Sequence, residues 1–369
     1  MPPVNVLIKP VSSACNMHCS YCFYLDVSCN RKDAFQGVLS IDTMEKVVSS
    51  AMEYADGFCT FLFQGGEPTL AGLDFYRQVI ALEKKYAKPG VKVHHSIQTN
   101  GYCLDEAWCS FFKEHGFLVG VSLDGPAELH NLNRRDSLGK NTFNRVMHSI
   151  SLLERFGVDY NILCVLTGRS ARSIHRIYQF YRKQGFHWLQ FIPCLEPLGQ
   201  ERGKAAYHLS VEEYGDFLIR IFDLWMDDLK HGEYVSIRHI DNWLQILMGG
   251  QPESCGMTGR CSIQFVVEGD GGVYPCDFYV LDEFRLGTVG ECSFAQMAQS
   301  PAAQNFLQSS LPAPDSCREC RFYPLCRNGC RRDRVSGQNF FCPALHRFFS
   351  QRIHQMEQAA ALLQYGIRN

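Results

Sequence analysis

Cys15, Cys19 and Cys22 lie within eight residues of one another, directly after an apolar run, Val4–Ile8, that reads as the first β-strand. Three thiolates at that spacing can wrap one inorganic centre. Three is the informative number, because a cubane of four irons held by three cysteines leaves one iron without a protein ligand. The open iron can take the amino group and carboxylate of a small molecule. A tetrahedral zinc site would want a fourth ligand, for which His18 is the nearby candidate. Structural zinc and plain buried thiols are the alternatives at this point.

Cysteine usage as a whole favours metal over disulfides. The chain has 18 cysteines in 369 residues, and residues 1–10 show neither the basic stretch nor the long apolar run of an export signal. With 46% hydrophobic and 20% charged residues it can bury a sizeable core, and its length favours two or three structural units. A net charge of −2 gives no electrostatic footprint for nucleic acid or an anionic membrane. No run approaches the ~18–20 apolar residues of a membrane span. The expectation is a soluble, cytoplasmic protein that binds neither nucleic acid nor membrane.

Short β-rich runs alternate with amphipathic stretches. Strands are predicted at Val4–Ile8, 59–63, 91–97, 117–122, 159–166 and 188–192. Helical patterns lie between them at Ile41–Tyr54, 73–86, 106–115, 142–155 and 173–184. Six strand–helix alternations predict a parallel α/β sheet, with a partial barrel and an open doubly wound sheet both compatible. A helical segment over 211–231 closes this part. From Cys255 to Cys342 the chain is loop-rich and holds nine cysteines, and such a region needs staples, metal being the obvious kind. Residues 343–365 read as a final helix. The predicted organisation is a domain over 1–235, a cysteine-rich domain over 236–342 and a terminal helix over 343–369.

Gln64-Gly65-Gly66-Glu67-Pro68 ends the second predicted strand. Glycines there let backbone approach a ligand closely, and free peptide groups can meet an ammonium or a carboxylate. Alone the turn is weak evidence. Paired with the cysteine triad, whose third member follows the aromatic Tyr21, it resembles the radical S-adenosylmethionine (SAM) superfamily. The resemblance implies a partial (β/α)6 TIM-type barrel, a [4Fe–4S] cluster on Cys15, Cys19 and Cys22, and SAM contacts at Gly66 and Glu67.

The later cysteines extend the resemblance. Cys261 and Cys276, then Cys317, Cys320, Cys326 and Cys330, then Cys342, are similar to the SPASM extension of peptide-modifying radical SAM proteins. By that resemblance Cys255, Cys261, Cys276 and Cys330 hold one auxiliary [4Fe–4S] cluster, and Cys317, Cys320, Cys326 and Cys342 hold another, giving three clusters. The loop before Cys342 is shorter than the family's, and structural zinc is the alternative. The seven other cysteines read as ordinary residues: Cys59, Cys164 and Cys194 sit in or beside apolar runs as small hydrophobes.

Within that group the segments Phe61–Gly72, Gln98-Thr99-Asn100-Gly101, Val121–Pro126, His130–Arg134 and Val273–Tyr279 look like those of anaerobic sulfatase-maturating enzymes, over nearly the whole chain. The family's SAM contacts carry over to Tyr21, Gly66, Ser122, Arg134 and Leu195, and its proton acceptor to Asp277. Without the resemblance, Ser122 would read as a strand-end hydroxyl, Arg134 as a solvated charge and Asp277 as a turn residue capping local amides. A carboxylate beside a cluster cysteine among aromatics can also be tuned for base work.

The resemblance implies the reaction too. A 5′-deoxyadenosyl radical abstracts hydrogen from Cβ of a cysteine or serine in an unfolded sulfatase segment of Cys/Ser-x-Pro/Ala-x-Arg pattern. Asp277 takes the proton, the auxiliary clusters receive the last electron, and Cα-formylglycine results. A low-potential donor such as ferredoxin or flavodoxin is implied, and oxygen-labile clusters imply an anaerobic setting. The competing expectation is a SPASM maturase that forms thioether or carbon–carbon cross-links. Most of those carry an added N-terminal peptide-binding domain, whereas this sequence starts close to its first strand. A zinc or redox scaffold without catalysis is the reading from another class.

Overall fold

The structure, a computed structural model, describes residues 3–366. Its strands are β1 (Val4–Ile8), β2 (Phe58–Phe63), β3 (Lys92–Thr99), β4 (Phe117–Ser122), β5 (Tyr160–Leu166), β6 (Trp188–Pro193), β7 (Ser236–Ile237), β8 (Val266–Val267), β9 (Gly272–Tyr274) and β10 (Gly287–Thr288). β1 to β6 are the six predicted strands, with ends moved by no more than two residues. Each alternates with helix, so the α/β class read from the sequence holds. The helix Phe23–Cys29 and the strands β8 to β10 were not legible: at three residues or fewer, those strands show no periodicity.

The chain forms two compact units that interleave along the sequence. The first takes the residues up to Ser122, Asn131–Tyr160 and Ser262–Phe306. Here β1 pairs in parallel with β2, β2 with β3 and β3 with β4. On its other side β1 pairs in parallel with β8, which continues antiparallel into β9 and β10. β1 is apolar on both faces, and only Asn5 of its five residues is exposed, as suits a strand with neighbours on both edges and helices on its faces. The helix Ile41–Tyr54 starts where Ser40 Oγ accepts from Thr43 N, and it buries Met44, Val47, Val48, Ala51 and Met52, one face at helical spacing. Phe63, Tyr76, Trp108, Phe112 and Phe117 form an aromatic core, with Phe63–Tyr76 centroids 5.0 Å apart and Tyr76–Trp108 5.2 Å.

The second unit takes Leu123–His130, Asn161–Cys261 and the residues from Leu307 onward. β5 pairs in parallel with β6, and β6 with β7. The helix Val211–Lys230 is opened by a reciprocal cap, Ser210 Oγ accepting from Glu213 N while the Glu213 side chain accepts from Ser210 N. It buries Phe217, Leu218, Ile221, Phe222 and Trp225. Against it lies the C-terminal helix Cys342–Gly366, with Phe222 and Phe348 rings 5.7 Å apart. At the rim the Arg352 guanidinium grips Asp223 with two hydrogen bonds of 2.7 and 2.8 Å.

Phe222 is 1% exposed and wedged between Trp225 and Phe348. Phe222→Ala leaves a cavity in the seam of the two long helices and is expected to cost about 3–5 kcal/mol. A lowered thermal unfolding midpoint of the anaerobic holoprotein checks it; an unchanged midpoint contradicts this packing.

Candidate active site

The cysteine loop is built against two neighbouring segments of the first unit. Glu67 N donates to Ala14 O at 2.8 Å, laying the glycine turn on the backbone beside Cys15. A Cβ at Gly66 would stand 2.0 Å from that Ala14 carbonyl oxygen, so the position admits only glycine. On the other side His18 N donates to Arg135 O and Ser20 N to Asn133 O, tying the loop to the segment that carries Arg134. Arg134 is buried, with its guanidinium 5.4 Å from the Tyr21 ring centroid and Nη1 3.9 Å from Cys19 Sγ. The first unit therefore brings together Cys15, Cys19, Cys22, Tyr21, Gly66, Glu67 and Arg134. Ser122 is half-buried at the end of β4, and Leu195 follows β6 in the second unit.

Glu67 is placed differently from a residue that offers its side chain to a ligand. Its Oε1 accepts from Thr69 N, Thr69 Oγ1 and Thr99 Oγ1, and its Oε2 from Asn100 N at 2.7 Å. Burial pushes its carboxyl above the ordinary range although these donors pull the other way. The carboxylate joins the end of β2 to the end of β3, leaving the turn's backbone to face a ligand.

Asp277 is buried in a one-turn helix after Cys276. Its Oδ2 accepts from Tyr24 Oη at 2.8 Å and Gln64 Nε2 at 2.9 Å. Its Oδ1 accepts no hydrogen bond and lies 3.3 Å from Lys9 Nζ. Lys9 also stands 3.5 Å from Glu268 Oε1, which Arg31 Nη1 meets at 2.6 Å. Burial pushes the Glu268 carboxyl up, but the Lys9 and Arg31 cations outweigh it and hold the group below its ordinary value. Lys9, Tyr24, Gln64, Arg31 and Glu268 were not singled out from sequence. Lys9 carried a signal, a cation directly after an apolar strand; Arg31 and Glu268, 237 positions apart, carried none.

The residues fit an iron–sulfur cluster by the chemistry of the donor set. Burial pushes the Cys15 thiol up to about 12, and the charges of Glu67, Cys19 and Cys22 add to it. Such thiols need a bound cation to become thiolates. In the second unit Cys317, Cys320 and Cys342 each push up the Cys326 thiol, after burial as the larger cause. Cys255 and Cys261 do the same for Cys330, which burial pushes to about 12. Cys342 stands at the first position of the C-terminal helix. Cys276 belongs to the first unit. Among the described residues no three or more His, Cys, Asp or Glu form a ready-made site for one metal ion, so the fit of a larger cluster rests on these thiol sets. Of the other cysteines, Cys59, Cys109, Cys164 and Cys194 are buried.

Known proteins resemble this chain in family and in fold. The radical SAM superfamily model matches residues 10–181, and the SPASM iron–sulfur cluster-binding domain matches 255–321. The class is therefore a radical SAM iron–sulfur protein. The chain is 46% identical over 99% of its length, and 99% of the relative's, to the cysteine-type anaerobic sulfatase-maturating enzyme of Clostridium novyi (strain NT). It is 33% identical to the serine-type enzyme of Bacteroides thetaiotaomicron, over 94% of this chain and 89% of that one. Among solved structures it is similar to anSMEcpe with bound AdoMet and the Cp18Cys peptide, at a TM-score of 0.94 and 40% identity over 98% of this chain and 100% of that one. The chain belongs to the anaerobic sulfatase-maturating enzymes, and its fold is the α/β radical SAM partial barrel with a SPASM extension. No helix among the described residues is long and apolar enough to cross a membrane.

Glu268 contributes stability above the ordinary carboxylate value of 4.5, because its folded value is the lower one. That contribution is lost as pH falls from about 4.5 through the folded value. Glu268→Gln strands the buried Arg31 cation, leaves Lys9 with Asp277 alone, and is expected to lower stability at neutral pH by about 3–5 kcal/mol. It should also flatten the loss of stability below pH 4.5. Urea unfolding midpoints over a pH series test both; parallel curves for the two proteins would contradict the network.

Proposed function

We propose that the protein oxidises a cysteine of an unfolded sulfatase segment to Cα-formylglycine. The observation that carries the reading is a buried carboxylate, Asp277, in the same compact unit as the three-cysteine loop, with one oxygen immobilised and the other free of hydrogen bonds. When bound, SAM and its cluster supply the 5′-deoxyadenosyl radical that takes the Cβ hydrogen, and further clusters supply a sink for the electron that leaves. Cys15, Cys19 and Cys22 would hold the first cluster, and Tyr21, Gly66, Ser122, Arg134 and Leu195 would contact SAM. Glu67 acts at one remove, by holding the Gly65–Gly66 turn. Cys317, Cys320, Cys326 and Cys342, and Cys255, Cys261, Cys276 and Cys330, are the two further ligand sets, three [4Fe–4S] clusters in all.

Asp277 Oδ1 accepts the substrate thiol proton. Tyr24 and Gln64 aim the carboxylate by holding Oδ2, and Lys9 balances its charge. Loss of a hydrogen atom, a proton and an electron is a two-electron oxidation, and the resulting thioaldehyde hydrolyses to the aldehyde. Cysteine is the proposed substrate residue because identity is 46% to the cysteine-type relative and 33% to the serine-type one. A cytoplasmic location, a low-potential donor such as ferredoxin or flavodoxin, and the division into 1–235, 236–342 and 343–369 belong to the same proposal. The model matches at 10–181 and 255–321 fall inside the first two segments, and residues 367–369 lie outside the described ones.

Reconstituted protein is expected to carry about twelve irons and twelve sulfides per chain, four of each per cubane. With SAM, dithionite and matched peptides of Cys- or Ser-x-Pro-x-Arg pattern, mass spectrometry should show aldehyde formation, faster on the cysteine peptide. 5′-Deoxyadenosine without a modified peptide would exclude this substrate and keep the superfamily. Asp277→Asn should lower aldehyde formation by roughly 10²–10⁴-fold, the range for a positioned general base. Full activity in that variant would remove Asp277 from the role.

A further inference from the structure

Asn100, at the end of β3, has every polar atom of its side chain assigned. Tyr102 N donates to its Oδ1 at 2.9 Å, which identifies the oxygen end of the amide. The other end, Nδ2, carries two hydrogens. One is directed at Asn16 Oδ1, 2.7 Å away, and the other at Cys15 Sγ, 3.7 Å away. Asn16 is oriented in turn, since its own Nδ2 donates to Cys103 Sγ at 3.0 Å. The Asn100 main chain is held by Glu67 through the 2.7 Å bond to its amide. A buried amide thus stands with a fixed N–H toward one thiol of the cysteine triad, the end of a chain running Cys103, Asn16, Asn100, Cys15.

Hydrogen bonds to cluster sulfurs are one of the levers that set an iron–sulfur potential. A donor favours the reduced state, in which the sulfurs carry more negative charge. We propose that Asn100 is a positioning residue of the radical-generating centre: its side-chain amide, aimed by Tyr102, Asn16 and Glu67, donates to Cys15 Sγ and raises the reduction potential of the cluster that Cys15 helps to hold. Cys103 takes part as the acceptor that orients Asn16, not as a ligand. The inference rests on the reading of Cys15 as a cluster ligand, which is checked separately: Cys15→Ala should abolish the cluster signal that responds to SAM.

The test is a redox titration of anaerobic holoprotein followed by electron paramagnetic resonance, taking the component whose signal changes when SAM is added. At the wild-type midpoint potential, Asn100→Leu is expected to lower the ratio of reduced to oxidised component at least threefold; a tenfold change in that ratio corresponds to 59 mV in a one-electron couple. Asn100→Gln, which keeps an amide donor, should recover part of the shift. An intact SAM-responsive signal with an unmoved midpoint in Asn100→Leu overturns the proposal. A second measurement needs no substitution and decides the matter if Asn100→Leu fails to load its cluster. In wild-type protein labelled with ¹⁵N only in asparagine side-chain amides, pulsed resonance of the reduced SAM-responsive cluster should show a ¹⁵N hyperfine coupling, and its absence overturns the proposal. Neither measurement uses a peptide, so failure here leaves the substrate assignment untouched, and failure of peptide turnover leaves this inference standing.

Discussion

The first unit's site depends on one buried carboxylate. Glu67 gathers Thr69 from its own turn and Thr99 and Asn100 from the end of β3, while its backbone N–H rests on Ala14 beside the first cysteine. Removing a carboxylate from water is costly unless donors replace the lost hydration, and here four replace it. Two strand ends and a ligand-bearing loop are thereby held in one arrangement. The absence of a side chain at Gly66 is the steric half of the same design, because any Cβ there would collide with the Ala14 carbonyl.

A second array, Arg31, Glu268, Lys9 and Asp277, performs the corresponding task for the buried carboxylate after Cys276. Charges alternate along it, and the middle pair is almost wholly screened from solvent. Such an array stabilises little relative to apolar packing, yet breaking it is expensive. What it provides is direction: Asp277 Oδ2 is committed to Tyr24 and Gln64, and the opposite oxygen is turned toward Lys9.

Much of this was legible in the sequence, for physical reasons that differ by residue. Cys15, Cys19 and Cys22 announce themselves because a short loop must present several thiols at once, and local spacing records that demand. Gly66 is legible for the same reason: its constraint is steric and lies in one turn. The six strands β1 to β6 are long enough to show periodicity. β8 to β10 are not, and they hold their places through partners distant in sequence. Glu67 is read as a cofactor contact together with its motif neighbours, and in the structure its oxygens accept hydrogen bonds from Thr69, Thr99 and Asn100. Arg31 and Glu268 left no trace, since an ion pair between remote positions has no periodic or local signature. Cys342 shows the opposite case, in which a shortened loop still leaves the residue close enough to Cys326 to act on its thiol, at the start of the C-terminal helix.

The parallel pairing of β1 with β8 has a consequence for biosynthesis. β1 leaves the ribosome well before β8, which follows some 260 residues later. Throughout that interval one flank of an apolar strand has its amide and carbonyl groups unanswered, which is the template on which neighbouring nascent chains associate. The newborn polypeptide is therefore at its most vulnerable before Val266 and Val267 arrive, and closing that flank is a late, long-range event of the kind that slows folding.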